Sequence, residues 1–214
     1  MKRLRLAVLV SGRGSNLQAI LKACKGGQIN AEVVVVLSDQ ENAVALERAK
    51  KEGIPSFWVN PAEFSTKKEY EEKLVQVINS FTVDYLLLAG FMRVLSTVFM
   101  RGVKVPLLNI HPSLLPAFTG LHAQRQALEY GVRYSGCTVH FVDEGVDTGP
   151  IILQAVVPVY PNDTEESLSQ RILQEEHRLY PKVVQLLSEG KIRCEGRKVM
   201  IIGEGQTSEK ICLN

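Results

Sequence analysis

The chain has 214 residues, of which 45% are hydrophobic and 22% are charged, and its formal net charge is +2 at pH 7. This length suits one well-buried α/β domain covering residues 1–214, and the composition excludes a largely disordered or fibrous chain. Because so small a net charge provides no basic field, we expect neither a nucleic-acid partner nor an anionic membrane partner.

The amino terminus carries basic residues, but the apolar run after it covers only residues 6–10 before Ser11 and Gly12. This run predicts a first strand rather than an export signal, and no apolar run approaches the roughly eighteen positions of a membrane helix. The cysteines are widely spaced and form no CxxC pair, which indicates inert thiols of a reducing compartment and hence a cytoplasmic protein. They are Cys24, Cys137, Cys194 and Cys212.

Apolar runs bounded by turn residues alternate with longer segments of helical period. This order is typical of a parallel sheet that is buried on both faces. The first half of the chain predicts strands at residues 4–10, 31–37, 56–59 and 83–89, and helices at residues 15–25, 41–52 and 66–80. Thr66 and Glu69 form a capping-box pattern at the start of the third helix.

The second half continues the pattern with strands at residues 107–110, 138–142 and 151–159, and helices at residues 122–130 and 163–187. Asp163 and Glu166 mark the start of the last helix, which is the longest one. A further apolar run at 199–202 predicts an edge strand. The chain therefore predicts an α/β fold with a doubly wound sheet, whose ligands bind at the carboxyl ends of strands.

The segment 11–16, Ser-Gly-Arg-Gly-Ser-Asn, joins the first strand to the first helix. Glycines let the backbone approach a ligand, and a helix amino terminus offers unpaired N–H groups and a favourable dipole, which favours a phosphate of a small substrate. A dinucleotide site is an alternative, because Asp39 follows the second strand as a ribose-binding acid would. The third glycine of that fingerprint is Leu17 here, and a merely structural turn also remains open.

The segment 109–116, Asn-Ile-His-Pro-Ser-Leu-Leu-Pro, follows an apolar strand and places an amide and an imidazole in a turn stiffened by two prolines. Asp147 supplies a carboxylate in the later segment 147–150, Asp-Thr-Gly-Pro. A carboxylate near the imidazole would favour its charged form. We expect Asn109, His111 and Asp147 to converge on one reacting carbon.

The remaining histidines, His122, His140 and His177, have no such neighbours and are expected to be structural. A zinc site is not expected, since the chain has neither HxxxH spacing nor a Cys/His cluster. Ser113 lies outside a GxSxG elbow, so we do not expect it to act as a hydrolase nucleophile.

Four segments, 11–18, 89–93, 109–116 and 147–150, together resemble the phosphoribosylglycinamide formyltransferases of the folate-dependent formyltransferase superfamily. The Asn-His-Asp part is common to the formyltransferases and hydrolases of that superfamily, whereas the 11–16 loop indicates the ribonucleotide acceptor. The resemblance implies a Rossmann-like, mostly parallel sheet with an antiparallel carboxyl-terminal part. It also implies a phosphate-binding half, 1–103, and a catalytic, folate-binding half, 104–214.

The resemblance implies two sets of binding residues beside the catalytic Asn109, His111 and Asp147. The ribonucleotide and its phosphate would be bound by Gly12, Arg13, Gly14, Ser15, Asn16 and Glu176. The folate would be bound by Lys67, Met92, Arg93, Val94, Leu95, Asn109, Asp143, Glu144, Gly145 and Val146. Thr148 is a departure, since many relatives have glycine there, and its side chain is expected to stiffen the loop.

The activity implied by the resemblance is formyl transfer from 10-formyltetrahydrofolate to the primary amine of 5'-phosphoribosylglycinamide in de novo purine synthesis. The cosubstrate is 10-formyltetrahydrofolate, and no metal is required. The partners are small-molecule substrates, and the protein is a monomer or a homodimer. One alternative is a formyltetrahydrofolate hydrolase in which Asp147 activates water. The other is a non-catalytic nucleotide- or folate-binding module, which would not need the complete Asn109, His111 and Asp147 set.

Overall fold

A computed structural model describes residues 2–203. It contains six α-helices and nine strands in this part of the chain. The strands are β1 (Leu4–Val10), β2 (Ala31–Ser38), β3 (Ser56–Trp58), β4 (Tyr85–Leu88), β5 (Leu107–His111), β6 (Tyr134–Phe141), β7 (Ile151–Pro158), β8 (Ile192–Glu195) and β9 (Lys198–Ile201). The helices are α1 (Ser15–Lys25), α2 (Val44–Lys51), α3 (Lys67–Asn79), α4 (Thr97–Gly102), α5 (Ala123–Tyr130) and α6 (Glu165–Ser188).

The main sheet has seven strands in the order β3-β2-β1-β4-β5-β6-β7. The first five strands in this order pair in parallel, and β6 and β7 join them antiparallel. The chain moves outward from β1 to β3 and then returns to the other side of β1 with β4. This reversal of strand order is the doubly wound topology that the sequence predicts, and the antiparallel carboxyl-terminal part is confirmed as well.

The central strand β1 contributes side chains to both faces of the sheet. Leu6, Val8 and Val10 pack into a core with residues of α1, α2 and α6, whereas Ala7 and Leu9 pack into a second core with residues of α3 and α4. All five side chains are fully buried. Because successive side chains of a strand point to opposite faces, this unbroken apolar run requires helices on both sides of the sheet.

Several helix boundaries follow from capping. The capping box predicted at Thr66 and Glu69 is present and starts α3. The prediction that Asp163 and Glu166 start the last helix is wrong, because Thr164 caps α6 and forms the capping box with Ser167. Asp163 instead accepts two hydrogen bonds from Arg171, at 2.7 and 2.8 Å.

The structure differs from the sequence-based elements at four other places, one of which is β6, whose start at Tyr134 lies four residues before the predicted one. Helix α2 begins at Val44, three residues after its predicted start, and the short helix α4 is absent from the sequence prediction. The strand predicted at 199–202 forms, as Lys198–Ile201, but it pairs with Ile192–Glu195 in a separate two-stranded sheet. It is therefore not an edge strand of the main sheet. A hairpin of two four-residue strands gives little sequence signal.

Within the described residues, Cys24, Cys137 and Cys194 are free thiols. Burial raises the pKa of the Cys24 thiol to about 11 and that of Cys137 to about 12. Cys212 and the remainder of 204–214 lie outside the described residues, as does Met1. No helix among residues 2–203 is long and apolar enough to span a membrane.

Candidate active site

The carboxyl ends of β1 and β4 lie side by side because the two strands pair in parallel. Two hydrogen bonds join the loops that leave them. The Ser11 N–H donates to the Gly90 carbonyl at 3.0 Å, and the Met92 N–H donates to Ser11 Oγ at 2.9 Å. The loop after β1 is thereby fixed against the loop that begins the predicted folate-binding segment.

Gly14 ends this first loop and is the N-cap of α1. Its φ is 65°, in the left-handed region, and a Cβ there would overlap Ala45. Glycine alone satisfies both conditions without strain. From the same helix as Ala45, Arg48 Nε donates to the Arg13 carbonyl at 2.9 Å and holds the loop in place. The first-turn N–H groups of α1 consequently form a helix amino terminus that is able to bind an anion.

Glu176 from α6 meets this loop at Asn16, whose Nδ2 donates to Glu176 Oε2 at 2.7 Å. Both residues are buried. Burial raises the pKa of the Glu176 carboxyl to about 7, although the hydrogen bond from Asn16 opposes the shift. Near neutral pH this carboxyl is therefore divided between its neutral and charged forms.

A cavity of about 460 Å³ lies above the 11–16 loop and Glu176. All six residues predicted to bind the ribonucleotide line it: Gly12, Arg13, Gly14, Ser15, Asn16 and Glu176. Its dimensions suit a small polar ligand.

His111 ends β5 and is buried. Its Nδ1 lies 3.3 Å from Asp147 Oδ2, and its Nε2 lies 2.8 Å from the Phe118 carbonyl oxygen. Both ring nitrogens thus face acceptors. An imidazole ring can donate to both acceptors at once only when both of its nitrogens carry hydrogen.

Asp147 is held from several sides. Its backbone has a φ of 56°, and its Oδ2 accepts a hydrogen bond from the Gly120 N–H at 2.8 Å. Asn109 Nδ2 lies 3.5 Å from its other oxygen, Oδ1. A left-handed backbone at a non-glycine residue costs energy and persists where the surroundings enforce it. This position is consistent with a functional rather than a purely structural role.

The loop that carries Asp147 starts at the amino-terminal end of β5, where the Val142 N–H donates to the Leu107 carbonyl at 2.9 Å. It then runs back along the sheet to His111 at the other end of the strand. Thr148 Oγ1 donates to Asp143 Oδ1 at 2.6 Å and links the two ends of the loop. The threonine that departs from the usual glycine therefore closes the loop with a side-chain hydrogen bond.

His140, expected to be structural, lies inside the site. The antiparallel pairing of β5 with β6 places it opposite Asn109, and its Nε2 lies 3.3 Å from Asn109 Nδ2. Burial lowers the pKa of His140, outweighing the opposing effects of the Phe141 carbonyl and Asp147. The neutral ring directs Nδ1–H to the Phe141 carbonyl at 2.8 Å, which leaves Nε2 to accept from Asn109.

A second cavity, of about 570 Å³, is lined in part by the predicted catalytic residues Asn109, His111 and Asp147. It adjoins the first cavity, because Gly90, Met92, Ile110, Pro112 and Gln124 line both. The predicted folate-binding residues that line it are Met92, Arg93, Val94, Leu95, Asn109, Asp143, Gly145 and Val146. Other lining residues, among them Leu121, Gln124 and Glu165, follow no sequence motif, because they approach the site only in the folded chain.

Two of the predicted folate-binding residues lie away from this cavity. Lys67 Nζ is 3.7 Å from Glu71 Oε1, and Glu144 Oε1 is 3.1 Å from Arg101 Nη2. Neither Lys67 nor Glu144 belongs to the cavity lining. Their predicted contacts with folate would have to be made outside the cavity.

The two cavities meet beside Asn109, His111 and Asp147. Asn109 supplies an amide donor and His111 an imidazole, and the carboxylate of Asp147 lies between these two side chains. Such an arrangement stabilises negative charge on a carbonyl oxygen while a second ligand attacks its carbon. Among residues 2–203, no serine or cysteine side chain lines the larger cavity. The fold and the site define an α/β enzyme of acyl-group transfer.

Comparison with known proteins identifies the family. The formyl transferase family matches residues 4–184, and the chain belongs to this family. The resemblance noted in the sequence is thereby confirmed.

Three similar proteins show the extent of the likeness. Phosphoribosylglycinamide formyltransferase of Escherichia coli K12 is 41% identical over 94% of this chain and 95% of its own length. The trifunctional purine biosynthetic protein adenosine-3 of Drosophila pseudoobscura is 50% identical over 89% of this chain, which spans only 14% of that protein. The crystal structure of glycinamide ribonucleotide transformylase 1 from Symbiobacterium toebii superimposes with a TM-score of 0.90 at 50% identity, covering 94% of both chains.

Proposed function

We propose that the chain transfers the formyl group of 10-formyltetrahydrofolate to the primary amine of 5'-phosphoribosylglycinamide. The products are formylglycinamide ribonucleotide and tetrahydrofolate, in de novo purine synthesis. The observation that carries this proposal is the meeting of two cavities at Asn109, His111 and Asp147. One cavity has a helix amino terminus suited to phosphate, and the other is large enough for a ring system.

The smaller cavity would hold the ribonucleotide with its phosphate on the 11–16 loop and its sugar toward Glu176. The larger cavity would hold the folate ring against residues 92–95 and the 143–147 loop. In this arrangement the amine and the formyl carbon approach each other at the shared wall formed in part by Gly90 and Pro112. Holding both reactants in place lowers the entropic part of the barrier.

The reaction begins when the neutral amine attacks the formyl carbon, forming a new C–N bond and placing negative charge on the formyl oxygen. Asn109 would donate to this oxygen, because its 3.5 Å contact with Asp147 is long and easily exchanged for a better one. The His111 imidazole, in its protonated form, would stabilise the same oxygen. The Phe118 carbonyl occupies His111 Nε2 in this structure, so direct donation from that atom requires the contact to open.

Collapse of the intermediate breaks the bond between the formyl carbon and N10 of the folate. The proton lost by the attacking amine must reach this departing nitrogen. Asp147 lies between His111 and Asn109 and would transfer that proton, directly or through a water molecule. The transfer requires neither a covalent enzyme intermediate nor a metal.

Product formation separates transfer from hydrolysis. With 10-formyltetrahydrofolate alone, a transferase should release almost no tetrahydrofolate, and addition of phosphoribosylglycinamide should start the reaction. Formate release at an equal rate without the amine would favour the hydrolase alternative. Binding of both ligands without turnover would favour the non-catalytic alternative.

We further propose that residues 1–103 and 104–214 act as the phosphate-binding and the catalytic, folate-binding halves of one domain in a cytoplasmic monomer or homodimer. The contact between Asn16 and Glu176 supports one domain, since it joins the two halves through a buried hydrogen bond. Limited proteolysis should then leave the two halves associated, and light scattering should give a mass of one or two chains.

A further inference from the structure

A groove of about 1040 Å³ lies between α1 and α6 and beside α2. It shares only Ser15 with the smaller of the two active-site cavities. Its lining includes basic side chains from three helices and, among residues 2–203, no carboxylate. The basic residues are Lys22 of α1, Arg48 of α2, and Arg178 and Lys182 of α6.

Most of this positive charge is uncompensated. Arg178 pairs with Glu175 at 3.1 Å, but Lys22, Arg48 and Lys182 have no carboxylate oxygen within 4.0 Å in the described part of the chain. The whole chain has a net charge of only +2, so three unneutralised cations around one groove are a marked local excess. Such a concave basic surface attracts anions more strongly than the same charges on a convex surface.

Arg48 is the fixed element of the groove. Its Nε donates to the Arg13 carbonyl at 2.9 Å and its Nη1 donates to Gln18 Oε1 at 2.7 Å. A guanidinium has five N–H donors, so donors remain available after these bonds are made. Lys22 and Lys182 are exposed and flexible, and they can adjust to an anion that Arg48 has positioned.

The lining also carries amide side chains on a partly apolar floor. Gln18, Gln28 and Gln185 supply amide groups, while Ala19 and Pro181 supply apolar surface. Lys22 lies close enough to His177 to reinforce the effect of burial, which lowers the pKa of that imidazole. The ring is therefore neutral near pH 7 and adds a polar group rather than a charge.

We propose that the α1–α6 groove binds a linear polyphosphate, either free or as the phosphate tail of a nucleotide. The cations come from three separate helices, so a ligand that contacts all of them must carry several negative charges along its length. A single phosphate, with about two negative charges, cannot neutralise all three unpaired cations. Phosphate oxygens also match the guanidinium and ammonium donors that line the groove.

Titration calorimetry with tripolyphosphate tests the site. The double variant Lys22→Gln/Lys182→Gln should weaken binding at least ten-fold, and Lys73→Gln, an exposed lysine of α3, should leave it unchanged. Arg13→Gln distinguishes the groove from the active-site loop, because Arg13 lines the smaller cavity but not the groove. This variant should keep the tripolyphosphate binding that the double variant loses, even where binding at the active-site loop is weakened. Binding should also weaken as salt is raised.

Equal affinity of the double variant and the unmodified protein would overturn the proposal. So would loss of all binding in the Arg13→Gln variant, because the anion would then occupy the active-site loop alone. The same titration with a nucleoside triphosphate distinguishes the two sources of polyphosphate. Tighter binding than that of tripolyphosphate indicates a nucleotide ligand, and equal binding indicates that the phosphate chain alone is recognised. Either result requires the same loss in the double variant.

Discussion

Replacing Glu176 with glutamine tests whether burial keeps this carboxyl partly neutral. The folded-state pKa of about 7 lies above the ordinary value of 4.5, so the folded protein binds this proton more tightly than the unfolded chain does. The resulting stabilisation is fully present below about pH 4.5 and is lost as the pH rises through 7. Each pKa unit corresponds to about 1.4 kcal/mol, which makes the full change about 3 kcal/mol.

Glutamine has nearly the same shape, accepts a hydrogen bond from Asn16 and does not titrate. The free energy of unfolding of the variant should therefore rise relative to that of the unmodified protein by about 3 kcal/mol between pH 4.5 and 8.5. Urea denaturation of both proteins at several pH values measures this difference. Glu129→Gln, at an exposed position of α5, controls for the loss of one surface charge. A difference that stays constant across this range would refute the reasoning.

Three further changes test the active site. Asp147→Asn should lower kcat at least 100-fold while the KM for the folate changes little, and steady-state kinetics with unchanged turnover would contradict the assigned role. Gly149→Ala should destabilise the fold by more than about 2 kcal/mol, because a Cβ would overlap the Phe141 carbonyl; an unchanged melting temperature would argue against this packing. Thr148→Val removes the hydrogen bond to Asp143 and should raise the folate KM several-fold, with kcat largely retained. An unaltered KM would show that the loop does not depend on that bond.

The sequence predicted the central strands β1 and β2 well because these strands are largely buried. A strand covered on both faces is a continuous apolar run, and such runs occur at Leu4–Val10 and Ala31–Ser38 within a residue of their predicted ends. Capping gave the start of α3 equally well, because Thr66 and Glu69 interact only with their immediate neighbours. Local interactions of this kind are visible in local sequence.

Short elements and element ends were predicted less well. Helix α4 has six residues and its N-cap, Ser96, is fixed partly by Glu71 of a different helix. The last helix offered several acidic and hydroxyl residues near its start; Thr164 is the cap, and Asp163 pairs with Arg171 instead. A contact with another helix thus helps to fix the start of α4, and a contact beyond the first turn occupies Asp163 in α6.

The sequence alone determined which chemical groups are present: the glycine-containing 11–16 loop, Asn109 and His111 two residues apart on one strand face, and the carboxylate of Asp147. The tertiary structure decided how these groups meet. His140 enters the site because β6 runs antiparallel to β5, and Asp147 reaches His111 because its loop folds back along the sheet. Strand register and loop path depend on contacts between residues far apart in the chain, which a local pattern does not encode.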